Sequence, residues 1–212
     1  MTATADPVKA SQMAAYMKHH FEFLGVTAPN RKVAEQAFIA VGEQASSAEL
    51  LAAADACWAQ TEREFQYVGT DLLVRWVHSI SSADLPRVEE LIRSRSWWDT
   101  IDPLAANVVG PMVASDASLG ATMDRWIDDD DIWIARTALL HQLTFRELTD
   151  TDRLFGYVDR RCADTEFFLR KAAGWALRQY AKTDPDAVSE FVADRGDRLS
   201  GLTRREALKH LV

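Results

Sequence analysis

Aromatic residues recur at an almost constant interval along this chain, each at the predicted start of a helix. Phe65, Trp98, Trp133 and Phe168 lie 33, 35 and 35 residues apart. Recurrence at such a period is the sequence signature of stacked structural repeats. The interval is slightly shorter than the roughly 40 residues of a two-helix HEAT repeat. The spacing therefore predicts a repeat architecture.

The remaining sequence favours helices as the repeating elements. Apolar residues follow a helical spacing between short breaks, and no segment alternates apolar with polar residues as a strand does. The predicted fold class is all-α, an α-solenoid of about six HEAT-like helical hairpins, curved, with a concave groove. The predicted helices span about 8–23, 31–41, 46–58, 62–80, a segment after a cap at 81–84, a segment from 96 to a break at 110–111, and then 116–127, 131–145, 150–161, 165–182, 184–194 and 203–211.

Length and composition predict one soluble domain. The 212 residues contain no long linker rich in Pro, Gly or Ser, so a single domain over 1–212 is expected. The sequence shows neither the apolar core of a signal peptide nor a membrane-spanning run, which predicts a cytoplasmic protein without membrane association. Cys57 and Cys162 lack metal-ligand spacing and are expected to be reduced thiols.

Charge is unevenly distributed along the chain. The net charge of −8, taken alone, argues against a polyanionic partner. However, acidic residues cluster at 124–131 and 147–152, whereas basic residues lie beside the aromatic segments. An acidic convex face and a basic concave face would give the same total charge.

The segment from Ser96 to Asp102 combines two indoles with two carboxylates. If it is helical, Trp98 and Asp102 emerge side by side, an arrangement that suits a cationic centre. Two structural interpretations stay open. Ser96 and Asp99 have the spacing of a capping box, and Asp102 is suitably placed to be the N-cap of a helix that begins at Pro103.

The sequence lacks the motifs of several enzyme classes. It shows no pairing of a nucleophile with a base, no Gly-rich phosphate loop and no metal-binding set, so neither a metal nor another cofactor is predicted. His19 and His20 are adjacent, but they have no further ligands at metal-binding spacing. What remains is a set of aromatic residues, arginines and one carboxylate.

Five segments together resemble the HEAT-repeat alkylpurine DNA glycosylases of the AlkD type, and they occur in the family's order over nearly the whole chain. They are Tyr16 to Gly25, Arg63 to Tyr67, Ser96 to Asp102, Trp133 to Thr137, and Phe167 to Arg178. The resemblance implies cleavage of the N-glycosidic bond of cationic N3- and N7-alkylated purines in double-stranded DNA. It also implies that the base stays stacked, whereas most enzymes acting on a base extrude it.

The resemblance also implies roles for individual residues, in a protein expected to act as a monomer. Asp102 would supply negative charge and position the attacking water, Trp98 and Trp175 would pack on the sugar, and Arg136 would hold a phosphate or the lesion strand. Further DNA contacts would come from Tyr16, Lys18, Arg170, Lys171 and Arg178. A chain with a net charge of −8 can bind DNA only if its cations are gathered, so we expect a basic groove opposite an acidic face at 128–131. The groove would be lined by Lys18, Arg136, Arg170 or Lys171, and Arg178.

Three positions depart from the family pattern. Ala135 stands where many members have an arginine, and Glu22 stands where a proline is expected. Both changes reduce positive charge at a DNA-facing edge, so affinity should be weak or salt-sensitive. Pro103 would displace Asp102 if it bent the helix. The alternative function is a non-catalytic HEAT scaffold that binds damaged DNA or a protein partner.

Overall fold

The computed structural model describes residues 4–211. Within that range the regular structure is helical, and the β structure consists of an isolated bridge between Glu22 and Glu62. The predicted all-α class is therefore confirmed.

The chain divides into two compact units, one up to Arg95 and one from Ser96 onward. The prediction of a single domain over 1–212 stays a prediction. Unit 1 contains α1 (Pro7–Tyr16), α2 (Ala28–Val41), α3 (Ser47–Trp58), α4 (Arg63–Arg75) and α5 (Leu85–Arg93). Unit 2 contains α6 (Trp98–Leu104), a π-helical segment (Ala105–Val109), α7 (Gly110–Ser115), α8 (Gly120–Trp126), α9 (Ile132–Leu140), α10 (Thr151–Arg160), α11 (Phe167–Tyr180), α12 (Pro185–Arg195) and α13 (Gly201–Ala207).

Unit 2 arranges most of its helices in two rows. Helices α6, α9, α11 and α13 pack against one another in succession, and we call them the site row. Helices α8, α10 and α12 pack against that row and form the back row. Ion pairs join neighbours within the back row, from Arg153 to Asp124 at 3.0 Å and from Arg195 to Asp159 at 2.8 Å. Between the rows lies an apolar core that includes the fully buried Ile134, Leu140, Val158, Leu169 and Leu177.

Helix starts follow the capping residues in the sequence. Ser46 and Glu49 form a capping box at the start of α3. The Asp184 carboxylate accepts a hydrogen bond from the Ala187 amide at the start of α12, where Pro185 is the first helical residue. Such side chains satisfy amides that have no partner within the helix, which is why these breaks are visible in the sequence.

The first helix is shorter than predicted. α1 ends at Tyr16, not near residue 23, because Lys18 and His19 adopt left-handed conformations with φ of 57° and 59°. Non-glycine residues seldom adopt this conformation, and the sequence gives no glycine or proline signal there.

The predicted helix end at Gly110 and Pro111 is wrong. The π-helical segment leads from α6 directly into α7, which begins at Gly110. Pro111 lies in the first turn of α7, where proline is well tolerated. Gly110 is needed because a Cβ atom there would lie 2.3 Å from the carbonyl oxygen of His141.

A buried carboxylate in unit 1 fixes the connection that leads into α2. Glu64, in the first turn of α4, accepts hydrogen bonds from the amides of Leu24, Gly25 and Val26 at 3.0, 2.8 and 3.1 Å. Only 1% of the Glu64 surface is exposed. The carboxylate therefore satisfies three backbone donors at once.

Glu64→Gln should lower the free energy of unfolding by about 1–3 kcal/mol. The amide keeps the size of the side chain, but it has one acceptor oxygen and places an NH₂ group against the backbone donors. Urea denaturation measures the change, with exposed Glu43→Gln as the control, expected within about 0.5 kcal/mol of wild type. Equal stability of the two variants would show that the three hydrogen bonds contribute nothing net.

Candidate functional site

Helix α6 places Trp98 and Asp102 on the same face. The helix begins at Trp98, with Trp97 as its N-cap residue and Asp99 in its first turn. Asp102 lies inside the helix, which continues through Pro103 to Leu104. The interpretation of Asp102 as the N-cap of a helix starting at Pro103 is therefore wrong, and the proline does not end the helix. Residues four apart share a face, so the Trp98 ring and the Asp102 carboxylate project to one side.

A two-pronged ion pair joins Asp102 to Arg136 of the neighbouring helix α9. Nε of Arg136 donates to Oδ1 at 2.7 Å, and Nη2 donates to Oδ2 at 2.9 Å. The third nitrogen, Nη1, donates to the backbone oxygen of Phe168 on α11 at 2.5 Å. One guanidinium thus connects three helices of the site row and holds the carboxylate in a fixed plane.

This ion pair is largely shielded from solvent. Arg136 is 3% exposed, and the Asp102 side chain is 14% exposed. Burial raises the pKa of the Asp102 carboxyl above its ordinary value, although the hydrogen bonds and charge of Arg136 oppose the rise. Because the buried guanidinium is directed at Asp102 and Phe168, the geometry favours a role in holding the carboxylate over a direct phosphate contact.

Pairing between neighbouring helices is not by itself distinctive. In the back row, Arg195 donates to both oxygens of Asp159 at 3.1 and 2.8 Å, which is the same geometry. However, the side chains of that pair are 27% and 28% exposed. Burial, not geometry, therefore distinguishes the pair of Asp102 and Arg136 from the pair of Asp159 and Arg195.

An aromatic cluster packs beside the ion pair. The ring centroids of Trp97, Trp133 and Phe168 lie 4.9–5.4 Å apart in tilted and edge-on arrangements. Such contacts fix the start of α11, and with it the Phe168 carbonyl oxygen that accepts from Arg136. Because Trp97 belongs to this cluster, Trp98 is the indole that shares a helical face with Asp102.

Helix α11 carries the second group of predicted site residues. One face of α11 carries residues spaced as i, i+4 and i+7, namely Lys171, Trp175 and Arg178. The Trp175 ring therefore lies between the two cations along this face. Trp175 is half-buried and lies about two helical turns beyond Phe168. Both cations contact Glu206 of α13, Lys171 at 2.5 Å and Arg178 at a short distance. Glu206 was not predicted from the sequence, although it lies about one repeat length after Lys171.

The remaining predicted contacts are more dispersed. Arg170 directly precedes Lys171, and its buried Nε has no hydrogen-bond partner among residues 4–211. Tyr16 is 70% exposed at the end of α1, and Lys18 is exposed in the following turn. Both belong to unit 1, and their role in binding stays a prediction.

Residues 4–211 contain neither a metal-binding cluster nor a membrane-spanning helix. No group of three or more His, Cys, Asp or Glu side chains in this range is placed to hold a metal ion. No helix in the same range is long and apolar enough to cross a membrane.

Comparison with known proteins supplies the family. A solved structure described as a predicted DNA alkylation repair enzyme from Enterococcus faecalis is 32% identical, with a TM-score of 0.91 over 99% of this chain and 97% of that one. AlkD2 from Streptococcus mutans superimposes with a TM-score of 0.67 at 15% identity, covering 95% of this chain and 98% of that one. The protein smu.31 from Streptococcus mutans UA159 gives 0.66 at 14% identity, covering 84% and 92%.

No curated protein sequence matches this chain. The sequence profile described as DNA alkylation repair enzyme matches residues 1–211, which is nearly the full length. This chain therefore belongs to the DNA alkylation repair enzyme family.

Proposed function

We propose that the protein is a DNA N-glycosylase that removes cationic N3- and N7-alkylated purines from double-stranded DNA, acting as a cytoplasmic monomer. The observation that carries the proposal is the largely shielded Asp102 carboxylate, which Arg136 holds through two hydrogen bonds on the same helical face as Trp98. Membership of a DNA alkylation repair family supports the substrate class.

Cleavage of the glycosidic bond requires negative charge next to the deoxyribose. Alkylation makes the purine cationic, so the base leaves as a neutral molecule when the electron pair of the glycosidic bond moves onto its nitrogen. The deoxyribose then carries positive charge, which a fixed carboxylate stabilises without having to reorganise. Water adds to the sugar carbon and releases a proton. Each Asp102 oxygen accepts one bond from Arg136, which leaves acceptor capacity for that water.

The two tryptophans support the same transition state. Indole faces attract cations, and contacts with a desolvated cationic sugar contribute about 0.5–2 kcal/mol each. Trp98 lies beside Asp102 on α6, while Trp175 lies between two cations on α11. We assign the sugar to these rings and the phosphates to the cations around Trp175, with Arg170, Tyr16 and Lys18 as further contacts. Arg136 acts through Asp102.

The test is release of 7-methylguanine from methylated duplex DNA. The reaction needs no metal or other cofactor under this proposal, so release should persist in EDTA. DNA binding without base release would favour the alternative function, a non-catalytic scaffold. One observation supports that alternative: the pair of Arg195 and Asp159 shows that this fold also uses similar ion pairs away from the site row.

Base release should depend on pH through Asp102. Only the ionised carboxylate stabilises a cationic sugar, so the rate should be constant above the pKa and fall about tenfold per pH unit below it. Burial raises this pKa, so the loss should begin above the ordinary value of about 3.9. Single-turnover rates, corrected for spontaneous depurination, measure the profile. A midpoint at or below the ordinary value would contradict the assignment.

A further inference from the structure

Glu206 lies where the two cations of α11 converge. Its Oε1 is 2.5 Å from Nζ of Lys171, and its Oε2 contacts Nη1 of Arg178. The Glu206 side chain is 13% exposed, compared with 38% for Lys171 and 20% for Arg178. One carboxylate is thus placed beneath two partly exposed cations that flank Trp175, and the three charges sum to a single positive charge.

Close packing of α13 on α11 keeps Glu206 near the two cations. A Cβ atom at Gly174 would lie 2.5 Å from Cβ of Glu206 and 2.7 Å from the carbonyl oxygen of Thr203, so α13 sits directly on α11. The Thr203 hydroxyl also donates to the carbonyl oxygen of Arg170 at 3.1 Å. The backbone of Glu206 is therefore held next to the two cations, because its helix is anchored to α11 on both sides of Lys171.

Glu206 is ionised at neutral pH. Burial alone would raise its pKa, but the hydrogen bonds and charges of Lys171 and Arg178 outweigh burial and lower the pKa. A phosphate that approaches either cation therefore meets a competing carboxylate.

We propose that Glu206 sets the affinity for the DNA backbone by neutralising part of the charge of Lys171 and Arg178, so that the protein leaves undamaged DNA readily. This inference rests on the proposed function. Backbone attraction does not depend on the base and accounts for most non-specific binding. A repair enzyme must leave a large excess of undamaged sites, so weaker backbone attraction shortens each unproductive encounter.

Glu206→Gln should therefore bind undamaged duplex more tightly. We expect an increase in affinity of about three- to tenfold at low salt, and a plot of log affinity against log salt that is steeper by about 0.9 for each additional phosphate that the variant neutralises. Turnover of methylated DNA in a large excess of undamaged duplex should fall, because the variant dissociates more slowly. Fluorescence anisotropy over a salt series measures the first two effects.

The matched control is Asp159→Asn, which removes one charge from an ion pair in the back row of the same unit. The DNA affinity of this variant should stay within about twofold of wild type, and the slope of log affinity against log salt should stay close to that of wild type. An equal increase in both variants would mean that net charge alone is responsible, and would overturn the inference. Weaker binding by Glu206→Gln would also overturn it, because Glu206 would then support the cations.

Lys171→Met, made both in the wild type and in the Glu206→Gln variant, provides a second test. Lys171 contacts a phosphate in our assignment, so Lys171→Met should weaken DNA binding in both backgrounds. The loss should be larger in the Glu206→Gln background, where no carboxylate competes for the lysine. A loss that is equal in the two backgrounds, or larger in the wild type, would overturn the inference. Absence of DNA binding by the wild type would instead refute the proposed function, as would absence of base release.

Discussion

Asp102→Asn should lower the single-turnover rate of 7-methylguanine release by about 10²–10³-fold. Asparagine keeps the size and planar shape of the side chain but removes the negative charge that stabilises the cationic sugar. It can also accept only one of the two hydrogen bonds that Arg136 donates, which leaves a guanidinium N–H facing an NH₂ group. Binding to undamaged DNA should change much less than the rate, because the carboxylate acts in the transition state.

Asp159→Asn is the matched control for this experiment. Asp159 forms the same two-pronged pair with an arginine in the same unit, but in the back row. Its base-release rate should stay within about threefold of wild type, since only ordinary stability effects apply. Similar losses in the two variants would mean that Asp102 is a structural residue of the repeat, which would remove the main support for the proposed chemistry.

Arg136→Met should lower the free energy of unfolding by about 3–5 kcal/mol at neutral pH. Methionine fills part of the space of the arginine but leaves the largely shielded Asp102 carboxylate without its partner. Removal of one member of a buried pair costs more than removal of both, because an uncompensated charge remains. Denaturant unfolding measures the loss, and the salt dependence of DNA affinity should stay unchanged because Arg136 does not contact phosphate in our assignment.

Two further measurements isolate the cause of this loss. Combining Arg136→Met with Asp102→Asn should restore a large part of the stability, because no buried charge remains. Lowering the pH should also reduce the deficit of the single variant. Without Arg136 the folded-state pKa of Asp102 rises further above the unfolded value of about 3.9. The loss of unfolding free energy is therefore complete above the raised pKa, and it fades as the pH falls toward the unfolded value and the carboxyl becomes protonated. A deficit below about 1 kcal/mol at neutral pH would show that solvent screens the pair.

The recurrence of aromatic residues predicted much of the fold. Phe65, Trp98, Trp133 and Phe168 all lie in the first turns of helices, as the sequence indicated. This succeeded because the repeat places similar residues at similar positions, and capping residues such as Asp184 act locally. Both signals are contained within a few neighbouring residues of one sequence.

Contacts between repeats were harder to predict. Asp102 and Arg136 are 34 residues apart, close to the repeat interval, and both were identified, but their direct pairing was not. Glu206 was missed because it lies on a short helix with no distinctive motif. An acid and a base one repeat apart were the available signal, but a single sequence contains many such pairs, and only packing decides which of them meet.

The π-helical segment between α6 and α7 changes the phase of the helix. A π turn contains more residues than the 3.6 of an α-helix, so side chains beyond it point in directions that a regular helix would not give. The face of α6 that carries Trp98 and Asp102 consequently does not continue as the face with which α7 buries Met112 and Val113. The π-helical segment thus lets one unbroken run of helix direct a carboxylate toward the site at one end and apolar side chains into the core at the other.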